Sequence, residues 1–347
     1  MNKWYETREN DNDIVLSTRV RLARNIRDFP FVAHMTTEQK NKLVNDTWNA
    51  VSQVKFGENL KFTKIEMDTL TKEQALSLLE RHLVSPEFTQ CKKGSALLLS
   101  ADESISIMCN EEDHLRIQVL KNGLDFDRAY VLANQIDDLL DETLRYAFDE
   151  QLGFLTQCPT NLGTGLRASV MMHLPMIEQS GLLSRLTNSL SKIGLTIRGT
   201  YGEGSKVKGA LYQVSNQVTL GISEMETISK LKEIVASIVK QEQELRNQAK
   251  HNPHFIDVVQ RALGTLRSAY LISSDEAMQL LSHVRLGVSC GMIDTVNIRT
   301  LNELINEISS ATLSCAGHRE AEERDHARAS LIQEKLKIRK WSSKEGL

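Results

Sequence analysis

Apolar and polar side chains alternate one by one over residues 15–25, VLSTRVRLARN. Leu16, Val20 and Leu22 fall on one phase of this alternation, whereas Arg19 and Arg21 fall on the other. A two-residue period is typical of a half-buried β-strand, whose successive side chains point to opposite faces of a sheet. The pattern therefore predicts a strand that presents two arginines on its polar face.

Further strands are predicted in two later segments. Over 95–120 an apolar run is followed by two alternating stretches, Ile105 with Ile107 and Leu115 to Val119, separated by the polar residues NEED. This order predicts two antiparallel strands joined by a turn. The segment GLTIRGTYGEGSKVKGALYQVSNQVTLG has the composition of strands interrupted by a glycine-rich loop.

A helical period accounts for most of the remaining chain. We predict helices over 36–55, 71–84, 127–147 and 176–192, a long helix from Ser223, and helices throughout the sequence after Pro253. The fold class is therefore α+β. A mainly antiparallel sheet flanked by helices is expected over residues 1–248, and an all-helical domain over 253–347.

Composition and charge narrow the class of protein. The 347 residues are 41% hydrophobic and 25% charged, with a formal net charge of -3. This balance is ordinary for a globular protein and argues against a general nucleic-acid or membrane-surface binder. There is no apolar run long enough to span a membrane, and MNKWYETREN has no signal-peptide core, so we expect a cytoplasmic protein.

The five cysteines are widely spaced and form no CxxC pair, which indicates neither a disulfide framework nor a zinc site. Cys158 precedes a proline and a glycine loop, where it is either an exposed, reactive thiol or a small core residue. A cysteine protease that pairs Cys158 with His114 or His173 lacks the local signatures of such enzymes.

Arginines recur on the polar phase of the predicted strands, namely Arg19, Arg21, Arg116, Arg167 and Arg198. Each could pair with a carboxylate on a solvated sheet face. Five arginines at strand ends beside glycine loops favour a polyphosphate ligand instead, because guanidinium groups match phosphate oxygens bidentately. The P-loop sequence GxxxxGK[ST] is absent, so arginines would hold the phosphates of any bound ATP.

Carboxylates lie close to two of these arginines in sequence. Glu111, Glu112 and Asp113 precede Arg116, and Glu203 follows Arg198 by five residues. Such a carboxylate is either a solvated turn residue or a group that orients a nucleophile, removes its proton, or holds magnesium through water.

Four segments resemble the catalytic domain of the phosphagen (guanidino) kinases: STRVRLARN, NEEDHLR, CPTNLGTGLRASV and RGTYGEG, in the order of that family, within residues 14–245. The small-molecule kinases of the family carry a helical domain before the first block, which here starts at Ser17, and this chain adds a C-terminal helical region with ERDHARAS. This combination is similar to the bacterial protein-arginine kinases of the McsB type, whose C-terminal domain contains an RDxxRA motif.

The resemblance implies roles for individual residues. Glu112 matches the catalytic carboxylate, Glu203 a second glutamate that orients the substrate, and Cys158 the reactive cysteine near the guanidinium. The implied ATP-binding residues are Ser17, Thr18, Arg19, Val20, Arg21, His82, Arg116, Arg167, Ala168, Ser169, Val170, Met171, Arg198, Gly199, Thr200, Tyr201, Gly202 and Glu203. Mg²⁺ is expected to enter with ATP, with no protein ligand except Glu111 through water.

The RDxxRA motif implies a regulatory phosphoarginine site made of Arg324, Asp325, His326, Ala327, Arg328 and Ala329. The two arginines would grip the phosphoryl group while Asp325 takes the guanidinium. The pattern alone also fits a solvated helix face, with Arg324 and Arg328 one turn apart and Glu320 as an ion-pair partner.

The resemblance implies ATP-dependent phosphorylation of exposed arginines in proteins, which marks substrates for a Clp-type ATPase-protease and inactivates a stress-response repressor. A zinc-containing activator protein and a homodimer or larger assembly are also implied, with no nucleic acid or membrane as partner. Two alternatives stay open: a non-catalytic phosphoarginine-binding adaptor, and a small-molecule guanidino kinase. The absent lid before Ser17 disfavours the latter, because an open pocket suits an arginine on a protein surface.

Overall fold

A computed structural model describes residues 2–6, 12–52, 61–91, 93–199 and 207–337. Within these ranges, eight antiparallel strands form one sheet in the order β2-β3-β4-β5-β1-β8-β10-β9. The strands are β1 Val15–Arg24, β2 Phe62–Glu66, β3 Ala96–Ser100, β4 Ile105–Cys109, β5 Leu115–Asn122, β8 Leu166–His173, β9 Leu195–Gly199 and β10 Leu211–Asn216, and a small ribbon contains β6 Phe148–Asp149 and β7 Gly153–Phe154.

Helices pack against both faces of the sheet and make up the C-terminal part of the described chain. They are α1 Thr37–Ser52, α2 Lys72–Glu80, α3 Phe126–Leu144, α4 Pro175–Gln179, α5 Leu183–Lys192, α6 Glu224–Ala249, α7 Pro253–Ser268, α8 Ser274–Ser289, α9 Ile298–Glu307, α10 Ser310–Cys315 and α11 Ala321–Leu336. None of these described helices is both long and apolar enough to cross a lipid bilayer.

Three predicted helices end or break earlier than the sequence pattern suggested. The helix expected over 127–147 ends at Leu144, where Arg145 adopts a φ of 58°. The helix expected over 71–84 ends at Glu80, because His82 adopts a φ of 60° and the bonds Leu83 N–H to Leu78 O and His82 N–H to Leu79 O close a Schellman motif. The single helix expected over 176–192 is two helices, α4 and α5, separated at Gly181, whose φ is +72°.

The two faces of the central strands differ in chemistry. Val20 and Leu22 of β1 and Ile117 and Val119 of β5 are fully buried in a core shared with α1, α3 and α6. Because side chains alternate along a strand, the arginines of β1 and β5 lie on the opposite face. The period-2 pattern predicted this division for Val20 and Leu22 but was wrong for Leu16, because the register of β1 shifts between Val15 and Ser17 and Leu16 packs with Met171 instead.

The C-terminal helices contain a second apolar core and pack against the start of β1. Arg285 of α8 is 1% exposed and donates hydrogen bonds to the carbonyls of Asp13 (2.8 Å) and Asn12 (2.9 Å). Beside it, the apolar cluster of Leu16, Met171 and Leu211 is packed against Met278 and Ile305 of α8 and α9. The helical region therefore fixes the strand that carries Arg19 and Arg21.

Glu80, at the end of α2, makes a second connection between the two regions. Its carboxylate accepts hydrogen bonds from the backbone N–H groups of Ala311 (2.9 Å) and Thr312 (3.2 Å) in the first turn of α10. A carboxylate is favoured there because the first N–H groups of a helix have no partner within the helix.

Candidate active site

A cavity of about 610 Å³ lies on the polar face of the central strands. It is lined by all five predicted arginines together with predicted residues from three loops, His82, Glu112 and Cys158. Other lining residues are Ala23, Leu79, Val84, Ser85, Pro86, Glu87, Met108, Gln118, Thr160, Asn161, Gly165, Gln213 and Ser215. The structure thus brings together groups that are up to 179 positions apart, from Arg19 to Arg198.

Strand register explains why the arginines converge. Arg21 of β1 is directly opposite Arg167 of β8, and Arg116 of β5 is opposite Ala23, two residues along β1. Arg198 of β9 is opposite Gln213 of β10. Opposed residues of antiparallel strands point to the same face, so the register places these guanidinium groups in one cavity.

The cluster of cations is electrostatically unfavourable without an anion. Burial, reinforced by Arg167 and Arg116, lowers the pKa of Arg19 to about 10. Burial, together with the neighbouring cations Arg19, Arg116 and Arg167, holds the pKa of Arg21 well below its usual value. The Nε of Arg21 is buried without a hydrogen-bond partner in the described part of the chain. Polyanions such as nucleotide phosphates would supply the missing negative charge.

Two residues that the sequence pattern did not single out support the cluster. Gln213 accepts a hydrogen bond from Arg19 (2.8 Å), and Gln118 Nε2 donates to the carbonyl of His82 (2.9 Å). The alternation within LRIQVL places Gln118 on the phase of Arg116, and the alternation within LYQVSN places Gln213 on a polar phase with Ser215; this signal was available in the sequence.

Glu111 and Glu112 differ sharply in environment. Glu111 has 3% of its side chain exposed, lies 2.8 Å from Arg116 and accepts a hydrogen bond from Ser85. Burial raises the pKa of Glu111. Glu112 is 41% exposed and 3.7 Å from Arg116. Glu112 is therefore open to a ligand, whereas Glu111 is engaged in holding Arg116.

His82 lies near the boundary between this cavity and α2. Burial and then Arg19 lower the pKa of His82 to about 4, so the imidazole is neutral at pH 7. Its positive φ at the end of α2 directs the chain into the segment that contains Ser85 and Glu87 at the cavity edge.

Cys158 is half-buried in the loop before β8, with Sγ 3.0 Å from Thr160 Oγ1. The loop closes tightly at Gly165, where an added Cβ would lie 2.6 Å from the Ala23 carbonyl and φ is +61°. Cys158 is thus at the cavity and not in the apolar core.

Neither candidate histidine serves as a partner for that thiol. His114 Nδ1 accepts from the Ile26 N–H (2.8 Å) and its Nε2 is 2.8 Å from the Pro30 carbonyl. His173 Nε2 is 2.7 Å from Ser282 Oγ in the contact with α8. Both imidazoles are committed elsewhere, which removes the basis for a cysteine protease.

Several predicted ATP-binding residues do not face the cavity. Val20, Ala168 and Val170 lie in the core on the other side of the sheet, and Thr18 is buried and donates to the Gly123 carbonyl. Met171 packs in the cluster with Leu16 and Leu211. Ser17, Ser169 and Gly199 belong to the arginine-bearing strands but do not line the cavity. Thr200, Tyr201, Gly202 and Glu203 lie outside the described residues.

No group of three or more histidine, cysteine, aspartate or glutamate side chains in the described ranges is arranged to hold a metal ion. Glu111, the candidate for a water-mediated contact, is occupied by Arg116 and Ser85.

The C-terminal motif is divided between surface and interior. Arg328 is 1% exposed and donates to the carbonyls of Ile308 (2.9 Å) and Ile272 (2.8 Å) and to Asp325 Oδ1 (2.5 Å). A solvated helix face is therefore wrong for Arg328.

The remaining motif residues, except Ala329, are more accessible. Asp325 is 34% exposed, Arg324 is half-buried, and the ring of His326 lies 4.7 Å from the highly exposed ring of Tyr270. Ala327 is half-buried and Ala329 belongs to the helical core.

The sheet and its arginine-lined cavity are those of a guanidino phosphotransferase. Residues 42–245 match the family model for the ATP:guanido phosphotransferase C-terminal catalytic domain, and the chain belongs to this family. Residues 252–346 match the model for the protein-arginine kinase McsB C-terminal domain.

Within the family, the chain belongs with the protein-arginine kinases. The protein-arginine kinase of Clostridium kluyveri is 44% identical over 348 residues, covering 97% of this chain and 99% of that protein. That of Clostridium tetani is 44% identical over 341 residues with the same coverage. The predicted family and enzyme class are confirmed.

Solved structures share the fold. A duplicated taurocyamine kinase from Schistosoma mansoni, with bound transition-state-analogue components, is 24% identical with a TM-score of 0.61 over 74% of this chain and 39% of that chain. Lombricine kinase is 24% identical with a TM-score of 0.59 over 68% of each chain. The predicted α+β fold of the phosphagen kinase type is confirmed.

Proposed function

We propose that this protein transfers the γ-phosphoryl group of ATP to arginine side chains of proteins. The observation that carries the proposal is one cavity in which five arginines face the accessible carboxylate of Glu112 and the thiol of Cys158. Relatives that align along nearly the whole chain are named protein-arginine kinases, which supports the same substrate class.

Nucleotide binding is assigned to the strand-borne arginines. Arg19, Arg21 and Arg167 would contact phosphate oxygens, with Arg116 and Arg198 at the sides of the same cavity. The Nε of Arg21, which has no hydrogen-bond partner among the described residues, fits this role because a phosphate oxygen would complete its hydrogen bonding. Mg²⁺ bound to ATP would neutralise part of the phosphate charge.

Phosphoryl transfer to a guanidinium requires removal of a proton from a group whose pKa exceeds 12. Glu112, 41% exposed at the cavity, would hold the substrate guanidinium in line and accept its proton as the N–P bond forms. Cys158 would contact the same guanidinium from the loop before β8. Glu203 is assigned the second orienting carboxylate on the family resemblance.

The experiment is incubation with γ-labelled ATP and a basic protein, followed by treatment with acid. Phosphoarginine loses its label in acid because the N–P bond is labile, whereas phosphoserine keeps it. Glu112→Gln should lower the labelling rate by about 10²-fold or more, the usual contribution of a general base. Glu150→Gln, on an exposed turn, is the matched control. Acid-stable label, or full activity in Glu112→Gln, would contradict the proposal.

The same assay distinguishes the alternatives. A small-molecule guanidino kinase would phosphorylate free arginine or creatine as efficiently as a protein. A non-catalytic adaptor would retain its cellular function in the Glu112→Gln protein. The cluster of strained cations around Arg21 favours catalysis, because a scaffold gains nothing from that electrostatic cost.

For the C-terminal region we propose a domain beginning at residue 253, after a catalytic domain that ends near 248, with Asn252 capping α7. Phosphoarginine would bind at the accessible Arg324 and Asp325, while the buried Arg328 holds Asp325 in place. The test is the response of kinase activity to added phosphoarginine, which Asp325→Ala should abolish. A retained response would refute this assignment.

Further roles rest on the family resemblance. We propose that the protein acts in the cytoplasm as a homodimer or larger assembly, cooperates with a zinc-containing activator, inactivates a stress-response repressor, and marks substrates for a Clp-type ATPase-protease. Reconstitution with each partner tests these roles separately: degradation of a phosphorylated substrate should require ATP, the kinase and the protease together.

A further inference from the structure

The two groups assigned to the substrate guanidinium lie on separate loops. Glu112 belongs to the turn between β4 and β5, and Cys158 to the loop between β7 and β8. Neither residue is in a strand, so sheet register does not fix their separation. Their relative position must depend on contacts between the loops.

Asp113, next to Glu112, supplies such a contact. It is 1% exposed, and its Oδ1 accepts hydrogen bonds from the side-chain amide of Asn25 (2.7 Å) and from the backbone N–H of Gln157 (2.7 Å). Gln157 immediately precedes Cys158. One carboxylate oxygen therefore joins the neighbours of both substrate-facing groups.

Asn25, just after β1, completes the junction. It is 2% exposed; its Oδ1 accepts from the His114 N–H (2.9 Å) and its Nδ2 also donates to the Leu155 carbonyl (3.0 Å). The Asn25 amide thus binds the acidic turn and the Cys158 loop simultaneously. Because Asn25 follows the arginine-bearing strand, the junction also places both loops relative to the phosphate-binding arginines.

The environment of the second carboxylate oxygen of Asp113 makes this arrangement unfavourable for folding stability. Asp113 Oδ2 is buried and makes no hydrogen bond within the described ranges. A buried carboxylate with an unused oxygen is unfavourable for folding, and a group of this kind in a native structure calls for a functional explanation.

We propose that Asp113 and Asn25 are positioning residues that set the distance between Glu112 and Cys158 across the substrate guanidinium. The inference rests on the proposed phosphoryl transfer to arginine. It adds two residues, neither of which lines the cavity, to the machinery of that reaction.

The kinetic test is Asp113→Ala in the full-length protein, with Asp113→Asn as the conservative variant. A displacement of about 1 Å is enough to lower a rate by roughly 10²-fold, so we expect a kcat loss of that order in Asp113→Ala. The KM for ATP should stay close to that of the wild type, because the arginines are held by strand register. Asp113→Asn keeps an oxygen acceptor and should retain most of the activity.

Asn25→Ala should reproduce the kcat loss, and the double variant should lose little more than either single variant, because both remove one junction. Asp149→Ala is the matched control: one oxygen of that carboxylate also accepts two hydrogen bonds, here both from the backbone N–H groups of Gln151 and Leu152, but on an exposed turn. If Asp113→Ala fails to fold, the comparison of Asn25→Ala with Asp113→Asn decides the question.

A second measurement does not depend on kinase activity. The rate of Cys158 alkylation by iodoacetamide, followed on its peptide by mass spectrometry, should change several-fold in Asp113→Ala and Asn25→Ala but not in Asp113→Asn or Asp149→Ala. Folded Asp113→Ala and Asn25→Ala proteins with wild-type kcat and wild-type thiol reactivity would overturn the inference. If the wild type does not phosphorylate arginine, the proposed function fails, while the alkylation rates still test the junction.

Discussion

Replacing Arg21 with methionine should stabilise the nucleotide-free protein while nearly abolishing its activity. Arg21 lies directly opposite Arg167 across β1 and β8, with Arg19 and Arg116 as further cationic neighbours. Methionine keeps an unbranched apolar stem and removes the charge. The two effects have opposite signs, because the charge is costly in the empty cavity and useful only when phosphates are bound.

The magnitude follows from charge separation. Two unit charges about 8 Å apart repel by about 2 kcal/mol at an effective dielectric constant of ~20. Three cations repel Arg21 and one carboxylate, Glu111, attracts it, so the net repulsion is of the order of two such pairs, about 4 kcal/mol, before salt screening and side-chain relaxation reduce it. We expect a net gain of about 1–2 kcal/mol in the nucleotide-free state, which corresponds to a Tm increase of roughly 2–8 °C for a domain of this size. Loss of one phosphate-stabilising arginine should lower kcat by on the order of 10³-fold.

The assay is thermal unfolding with and without MgATP, together with the labelling rate. Without nucleotide, Arg21→Met should have a higher Tm than the wild type. Adding ATP should raise the Tm of the variant less than that of the wild type, because a ligand that binds more weakly stabilises the folded state less. Arg185→Met, an exposed position on α5, is the control and should change Tm little. A lower Tm for nucleotide-free Arg21→Met, with Arg185→Met unchanged, would refute the electrostatic reasoning.

Two further predictions concern buried ionisable groups. Asp137→Ala should destabilise the protein by about 3 kcal/mol in chemical denaturation, because Arg24 is 1% exposed and loses its nearer carboxylate partner at 2.7 Å, keeping only Glu224 at 3.6 Å among the described carboxylates. Combining it with Arg24→Met should recover much of the loss, and additive losses would contradict this. The pKa of His82 is about 4 in the folded protein and near 6.5 in the unfolded chain, so the free energy of unfolding should decrease as the pH falls from 6.5 to 4. His82→Gln should reduce the slope of this free energy against pH by the equivalent of up to one bound proton. An unchanged slope would show that His82 is not the titrating group.

The sequence predicted the arginine cluster because its signal is local. Alternation in each strand places Arg19, Arg21 and Arg116 on a polar phase, and the antiparallel order then brings the strands together. The same alternation marked Gln213, which was overlooked because an uncharged residue on a polar face is unremarkable in sequence.

Other features depend on contacts that no short window of sequence contains. Arg24 lies one position away from the residues of β1 that face the cavity. It is nevertheless buried, because it pairs with Asp137, which is 113 positions away in the sequence. Asp113 resembles its neighbours Glu111 and Glu112 in type, and only the folded Cys158 loop distinguishes it as a buried acceptor. The end of α2 was misplaced because non-glycine residues such as His82 rarely adopt a positive φ.

The contact between α8 and the start of β1 has a consequence for local opening of the protein. Arg285 occupies the carbonyls of Asn12 and Asp13, and helix residues cover the cluster that includes Leu16. We therefore expect the first amides of β1 to exchange with solvent faster when the helical region opens, although the residues that cover this end of the strand are about 270 positions away. Local unfolding of the C-terminal helices should therefore first affect the strand that carries Arg19 and Arg21.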